Sequence, residues 1–298
     1  PNKPVDWATI EQSLTPAFLG NVSEIILPFD LHIPEISGKN WQYQAVNEKG
    51  ETLQSVEMSS LIAQADTVDN QLQLQKLAVE SSLGNLSSQG KLQLDGDMPL
   101  DLTLKSHLEP LKSDGKEILP ESDVDLTLSG SLKKSTALSL KTKGVLDAEL
   151  NGNVQLAQDK IPLNLTLNVA KGQYTFVNTM TPLKINDVTL KLTGDLLNYH
   201  AELKGDVAGM NYIPASQVEL NADGKLYEVT INKLGIASLD GKSEFVGNAN
   251  WKNGANWDIQ ADLEKMNIGF FVPVMPATLS GKLHSRGFAG SQGWQVEV

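Results

Sequence analysis

Leu163-Asn164-Leu165-Thr166-Leu167-Asn168-Val169 alternates apolar and polar side chains at every step. Successive side chains of a strand point to opposite faces, so this stretch predicts a strand with one apolar and one polar face. The same period of two recurs outward from it. On the carboxyl side it returns in Val188, Leu190 and Leu192, in Tyr199, Ala201 and Leu203, and in Trp257, Ile259, Ala261 and Leu263. Toward the amino terminus, from about Val22, Ile25, Leu27, Phe29, Leu31 and Ile33 alternate with Glu24, Ile26, Pro28, Asp30 and His32, which predicts a first strand there. What the apolar face meets is the functional question.

Residues 5–20 read differently. Trp7, Ile10 and Leu14 are spaced at three and four, Asp6 stands at the N-cap, and Pro16 with Gly20 closes the segment, so a short amphipathic helix is expected. The organisation predicted is helix and lead-in over 1–21, then a continuous β domain over 22–298. Turn residues such as Asp95-Gly96-Asp97, Asn151-Gly152, Asp223-Gly224 and Asp240-Gly241 punctuate the strands at intervals typical of an all-β protein. A loose Leu-x-Gly-x-Leu repeat, as in Leu128 to Leu132, Leu192 to Leu196 and Leu279 to Leu283, places glycines in phase with the apolar residues. Such glycines either bend the sheet at bulges or keep its apolar side open. Repetition favours a solenoid-like winding sheet over a sandwich or barrel. Some 18 strands at about 4.8 Å would make a sheet on the order of 85 Å long.

Composition narrows the partners. A net charge of -12 with no compensating basic patch argues against nucleic acid and anionic membrane surfaces. Without cysteine there is neither a disulfide framework nor a thiolate metal site. No apolar run approaches the roughly 20 residues of a membrane helix. The alternating Trp294, Val296 and Val298 stop in mid-pattern, which predicts a piece of a longer chain.

Catalytic patterns are sparse. His32, His107, His200 and His284 each stand alone at polar-phase or loop positions, and no HExxH, phosphate loop or nucleophile elbow occurs. Asp95, Asp97 and Asp101 lack the remaining ligands of a calcium loop and read as a turn. Asp123 and Asp125 share a strand face, the arrangement a glycosidase pair would need, but it is the polar face opposite Val124, Leu126 and Leu128. Trp41, Tyr43, Trp251, Trp257 and Trp294 could stack on sugars; their phase predicts inward packing instead. No enzyme, metal or cofactor is expected.

The order of features, with Ile26-Leu-Pro-Phe-Asp-Leu-His-Ile33, Asp101 to Leu111, Leu234 to Phe245, Trp257 to Leu263 and Pro276 to Gly287, resembles the amino-terminal half of the TamB family. The resemblance covers nearly the whole chain from about Trp7. It implies an elongated, twisted β-taco, a repeating β-groove with an open hydrophobic groove. It also implies an inner-membrane anchor outside this piece, a periplasmic location in a Gram-negative envelope, and the outer-membrane protein TamA as partner. Transport of phospholipid between the membranes is the implied role; assembly of autotransporters and other outer-membrane β-barrels is the alternative. The acyl chains would line up on Ile25, Leu27, Phe29, Leu31, Ile33, Leu126, Leu128, Leu150, Leu163, Leu165, Leu167, Val169, Leu190, Leu192, Leu203, Phe245, Trp257, Ile259, Leu279 and Leu283.

Overall fold

The computed structural model describes residues 5–19, 23–46, 52–113, 116–174, 182–209, 213–267, 269, 277–290 and 293–298. Among the described residues one helix, α1 (Trp7–Leu14), precedes nineteen strands. Asp6 caps α1 as its spacing predicts: the carboxylate accepts from Thr9 N at 3.1 Å. The chain forms two compact units, Phe18–Gln158 and a second made of Pro1–Ala17 with Asp159–Val298.

The first unit is an antiparallel meander of β1 (His32–Val46), β2 (Thr52–Val68), β3 (Gln71–Ser81), β4 (Gly84–Gln93), β5 (Pro99–Leu108), β8 (Ser122–Ser131), β9 (Thr136–Lys143) and β10 (Leu146–Val154). Between β5 and β8 the chain makes a separate small hairpin, β6 (Leu111–Ser113) and β7 (Lys116–Leu119). The second unit continues the pattern through β11 (Leu163–Tyr174), β12 (Leu183–Gly194), β13 (Asn198–Gly209), β14 (Ile213–Lys225), β15 (Glu228–Ser238), β16 (Gly241–Asn250), β17 (Ala255–Asn267), β18 (Thr278–Gly290) and β19 (Gly293–Glu297). Within each unit, strands pack chiefly against their hairpin neighbours.

Four slips in the period of two carry bulges. Apolar spacing widens to three at Leu74 to Leu77 in β3, Ile185 to Val188 in β12, Ile231 to Leu234 in β15 and Leu263 to Met266 in β17, and the register shifts at each of them. A bulge absorbs one residue and bends the strand, so side chains three apart return to the same face. One glycine of the repeat shows the same geometry. A Cβ on Gly205 would stand 2.3 Å from Val188 Cγ2, beside the β12 bulge. This glycine serves close strand approach at a bend, the first of the two roles expected for it.

The first strand differs from expectation. Residues 23–31 form no strand; β1 begins at His32. Pro28 removes a ladder donor in the middle of that run, and the segment's backbone bonds instead to the turns of other hairpins. Leu94 O accepts from Ile25 N at 3.0 Å and Asn70 Oδ1 accepts from Leu27 N at 2.9 Å.

Candidate functional site

Cross-strand register sorts the apolar side chains into rows that run perpendicular to the strands. In the second unit one row passes without a break through Leu167, Leu190, Leu203, Leu220, Leu234, Phe245, Ala261 and Leu283, one residue from each of β11 to β18. Beside it run Leu165, Leu192, Ala201, Ala222, Ile231, Gly247 and Ile259. Val169 faces Val188 in the next row, and Leu163 faces Gly194. In the first unit Ala63, Leu77, Ser88, Leu104, Leu126, Leu140 and Leu150 make one row, and Ala65, Leu74, Gly90, Leu102, Leu128, Leu138 and Gly152 its neighbour.

No second layer closes over these rows among the described residues. The buried apolar side chains there are Met98, Val169, Val188, Leu197, Ala222 and Ala261, and no large side chain is fully buried. The row leucines are half-buried, shielded by their row neighbours, except Leu283 at the end of its row, which is exposed. A closed core of a chain this long would hide far more of its leucines. Each unit therefore presents an open apolar groove floored by aliphatic side chains.

Aromatic rings lie flat at one margin of the groove. Trp257 sits between Ala249 and Gly287, and Tyr199 between Gly194 and Gly224. The ring atoms occupy the space a Cβ on Gly224 or Gly287 would need, at 2.2 and 2.3 Å, and Trp257 Nε1 donates to Ser285 Oγ at 3.1 Å. Glycine here lets a bulky ring lie on the sheet rather than stand up from it. The expected inward packing fails elsewhere: Trp41, Tyr43, Trp251 and Trp294 are 54%, 67%, 40% and 79% exposed.

Of the expected lining, Ile33 pairs with Ala65 at the start of β1, and Leu279 pairs with Met266 in β18. Ile25, Phe29 and Leu31 lie outside the strands and are exposed, while Leu27 is half-buried. Periodicity reading passed over Leu61, Leu77, Val79, Leu102, Leu104, Leu138, Leu140, Leu220 and Leu234. For Leu77, Val79 and Leu234 the apolar phase is reset at a bulge, whereas Leu102, Leu104, Leu138 and Leu140 keep the period of two.

The opposite face is polar and charge-paired. Glu219 takes Lys204 at 3.1 Å and Lys233 at 3.0 Å, and these two bonds hold its carboxyl below the usual range. A hollow of 840 Å³ on this side is lined by charged groups such as Lys204, Glu219, Lys233, Lys242, Glu244 and Asp262, with Val218, Ile236 and Leu263 between them. It serves no part of the apolar rows. The histidines are not solitary as the sequence suggested: His32 pairs with Asp66, His107 with Asp123 at 2.8 Å, His200 with Asp223 at 2.8 Å and His284 with Asp258 at 2.7 Å. Each pair joins adjacent strands. Asp123 is thereby accounted for as a strand-to-strand partner.

The family model for the amino-terminal domain of TamB matches residues 1–298. The chain belongs to the TamB family. It is 98% identical over its full 298 residues to the translocation and assembly module subunit TamB of Haemophilus influenzae, of which it spans 23%. No solved structure matches it.

Proposed function

We propose that the chain is a periplasmic bridge segment that conducts phospholipids along its apolar rows between the inner and outer membranes. It works by conduction and not by catalysis, as part of an inner-membrane-anchored protein whose other regions reach TamA. The supporting observation is the unbroken row from Leu167 to Leu283, uncovered along its length. An acyl chain of about 16 carbons gains on the order of 10 kcal/mol on apolar burial at roughly 0.8 kcal/mol per methylene. Rows repeat every strand, so the chain moves from one strand to the next with little net change in contact. A single deep pocket would hold it in place.

Photo-crosslinking amino acids test this in cells. At Leu128, Leu165 or Leu192 they capture phospholipid, while at Thr127 or Thr166 on the other face they do not. Equal lipid capture on both faces would sink the reading. Leu165→Asp blocks transport and leaves the strand content by circular dichroism intact, since a groove open to water tolerates a charge that a closed core would not. Protein adducts along strand margins in place of lipid would favour the alternative role in assembling outer-membrane β-barrels, by pairing with an incoming strand.

A further inference from the structure

Polar side chains that fall on the apolar face of the second unit are tied to protein atoms, with one exception. Ser216 Oγ donates to Pro214 O at 2.8 Å, Ser238 Oγ to Ala215 O at 3.1 Å and Ser243 Oγ to Ile236 O at 3.4 Å, while Ser285 Oγ takes Trp257 Nε1. A short hydroxyl reaches a nearby carbonyl and is satisfied there. The hydroxyl of Tyr199 stands at the far end of a ring, and among the described residues no hydrogen bond reaches it. Its position is fixed by a glycine. The ring leaves β13 and crosses β14 above Gly224, where a Cβ would stand 2.2 Å from Cζ and 2.5 Å from the hydroxyl oxygen. The three atoms nearest to that Cβ all belong to Tyr199, and Gly224 is not among the residues of positive φ. The ring needs this glycine; the backbone does not.

Tyr199 also marks where the apolar floor ends. On one side of it the pairs Ala201–Ala222, Leu203–Leu220 and Val207–Ser216 carry the floor onward along β13 and β14. On the other side only the turns that close β12–β13 and β14–β15 remain. From Tyr199 to Val207 is eight residue steps, about 27 Å of floor. Charge beside the boundary is compensated. Asp195 Oδ1 accepts from Leu197 N and Asn198 N at 2.8 Å each, and Lys225 Nζ meets Glu228 Oε1 at 2.6 Å. A half-buried phenol at such an edge offers a neutral donor where apolar surface gives way to water. In a phospholipid the acyl ester carbonyls lie at the matching level: they accept hydrogen bonds, carry no donor and join the chains to the headgroup.

We propose that Tyr199 anchors a bound phospholipid by donating its hydroxyl to an acyl ester carbonyl, so that the chains lie along β13 and β14 over Ala201, Leu203 and Val207. This rests on the lipid reading above and adds to it a polar contact and an orientation. The test uses the full-length protein in its membranes and two photoactivatable phosphatidylethanolamines, one with the reactive group beside the ester and one near the terminal methyl. In the wild type the ester-side probe labels 199–201 and 222–224 in preference to 205–207 and 216–218, and the methyl-side probe shows the reverse preference. Tyr199→Phe keeps the ring and removes the hydroxyl; it lowers the ester-side preference by about two- to tenfold, the worth of one neutral hydrogen bond, while total labelling of the floor persists. Gly224→Ala displaces the ring with its hydroxyl intact, lowers the preference in the same way, and adds nothing to Tyr199→Phe in the double variant. No preference in the wild type, or one that Tyr199→Phe leaves unchanged, overturns the anchor and leaves the lipid reading standing. Absence of labelling by both probes overturns the lipid reading itself. A further loss in the double variant overturns the pairing of Gly224 with Tyr199. The comparison of wild type with Tyr199→Phe decides the anchor even if Gly224→Ala misfolds.

Discussion

At the scale of single residues, two kinds of position matter more than the leucines around them. Gly205 is one: a valine there would drive its branches into Val188, where a Cβ alone would already approach to 2.3 Å. Gly205→Val is expected to cost about 1–3 kcal/mol, as overpacking does, and to lower the urea midpoint of unfolding. The His–Asp pairs are the other. Hydrogen bonding to Asp123 and Asp223 raises the pKa of His107 and His200 above 6.5, with Glu121 and Glu202 adding to the field. A raised histidine pKa stabilises the folded state fully below the unfolded value and loses that contribution as pH climbs through the folded one. Wild type is therefore expected to unfold at a slightly higher midpoint near pH 6 than near pH 8, and His107→Gln with His200→Gln flattens the difference. An unchanged slope in the double variant would show that the pairs contribute nothing to it. Asp223, whose pKa is lowered by Asn232 and then by His200, contributes fully above 3.8 and loses that contribution only as the pH falls below it.

Among elements, the segment 23–31 and the strands obey different rules, and this decides what could be read from the chain. Strands were legible wherever apolar residues kept strict alternation, as in Leu163 to Val169, because burial of one face fixes the register. The helix was legible from Asp6 and the spacing of Trp7, Ile10 and Leu14. Residues 23–31 alternate equally well, but their partners are Asn70, Leu94 and Thr67, remote in sequence, and no local pattern encodes such bonds. Part of the floor stayed hidden for a related reason: a bulge resets the phase, and a reading that demands period two stops at Leu74 or Ile231. Asn70, which accepts from Leu27 N and donates to Ile25 O, makes the order of residues 23–31 testable on its own. Asn70→Ala should speed amide exchange at Ile25 and Leu27 while the amides of β4 and β5 keep their protection, seen by hydrogen–deuterium exchange. In the second unit α1 is held by comparable means. Lys160 N donates to Thr15 O at 2.7 Å, and Trp7 meets Tyr227 with ring centroids 6.0 Å apart.

On the scale of the whole molecule, stability is assembled from neighbour to neighbour. Strands that touch chiefly their hairpin partners share no common core, so damage spreads only through successive ladders. Gly205→Val should therefore reduce exchange protection in β12 to β14 and leave β17 to β19 near wild type; uniform loss across the unit would contradict this.

The rows described above also set a rule of length. Every strand adds one position to each row, and every pair of strands returns the chain to the same lip. Inserting or deleting a complete hairpin changes the path by about 10 Å and preserves its cross-section. Removing one strand reverses all the strands that follow, and a turn that faced one margin then faces the other. The distance such a protein spans is counted in hairpins, so its reach can be altered by whole-number steps without redesigning any surface along the way.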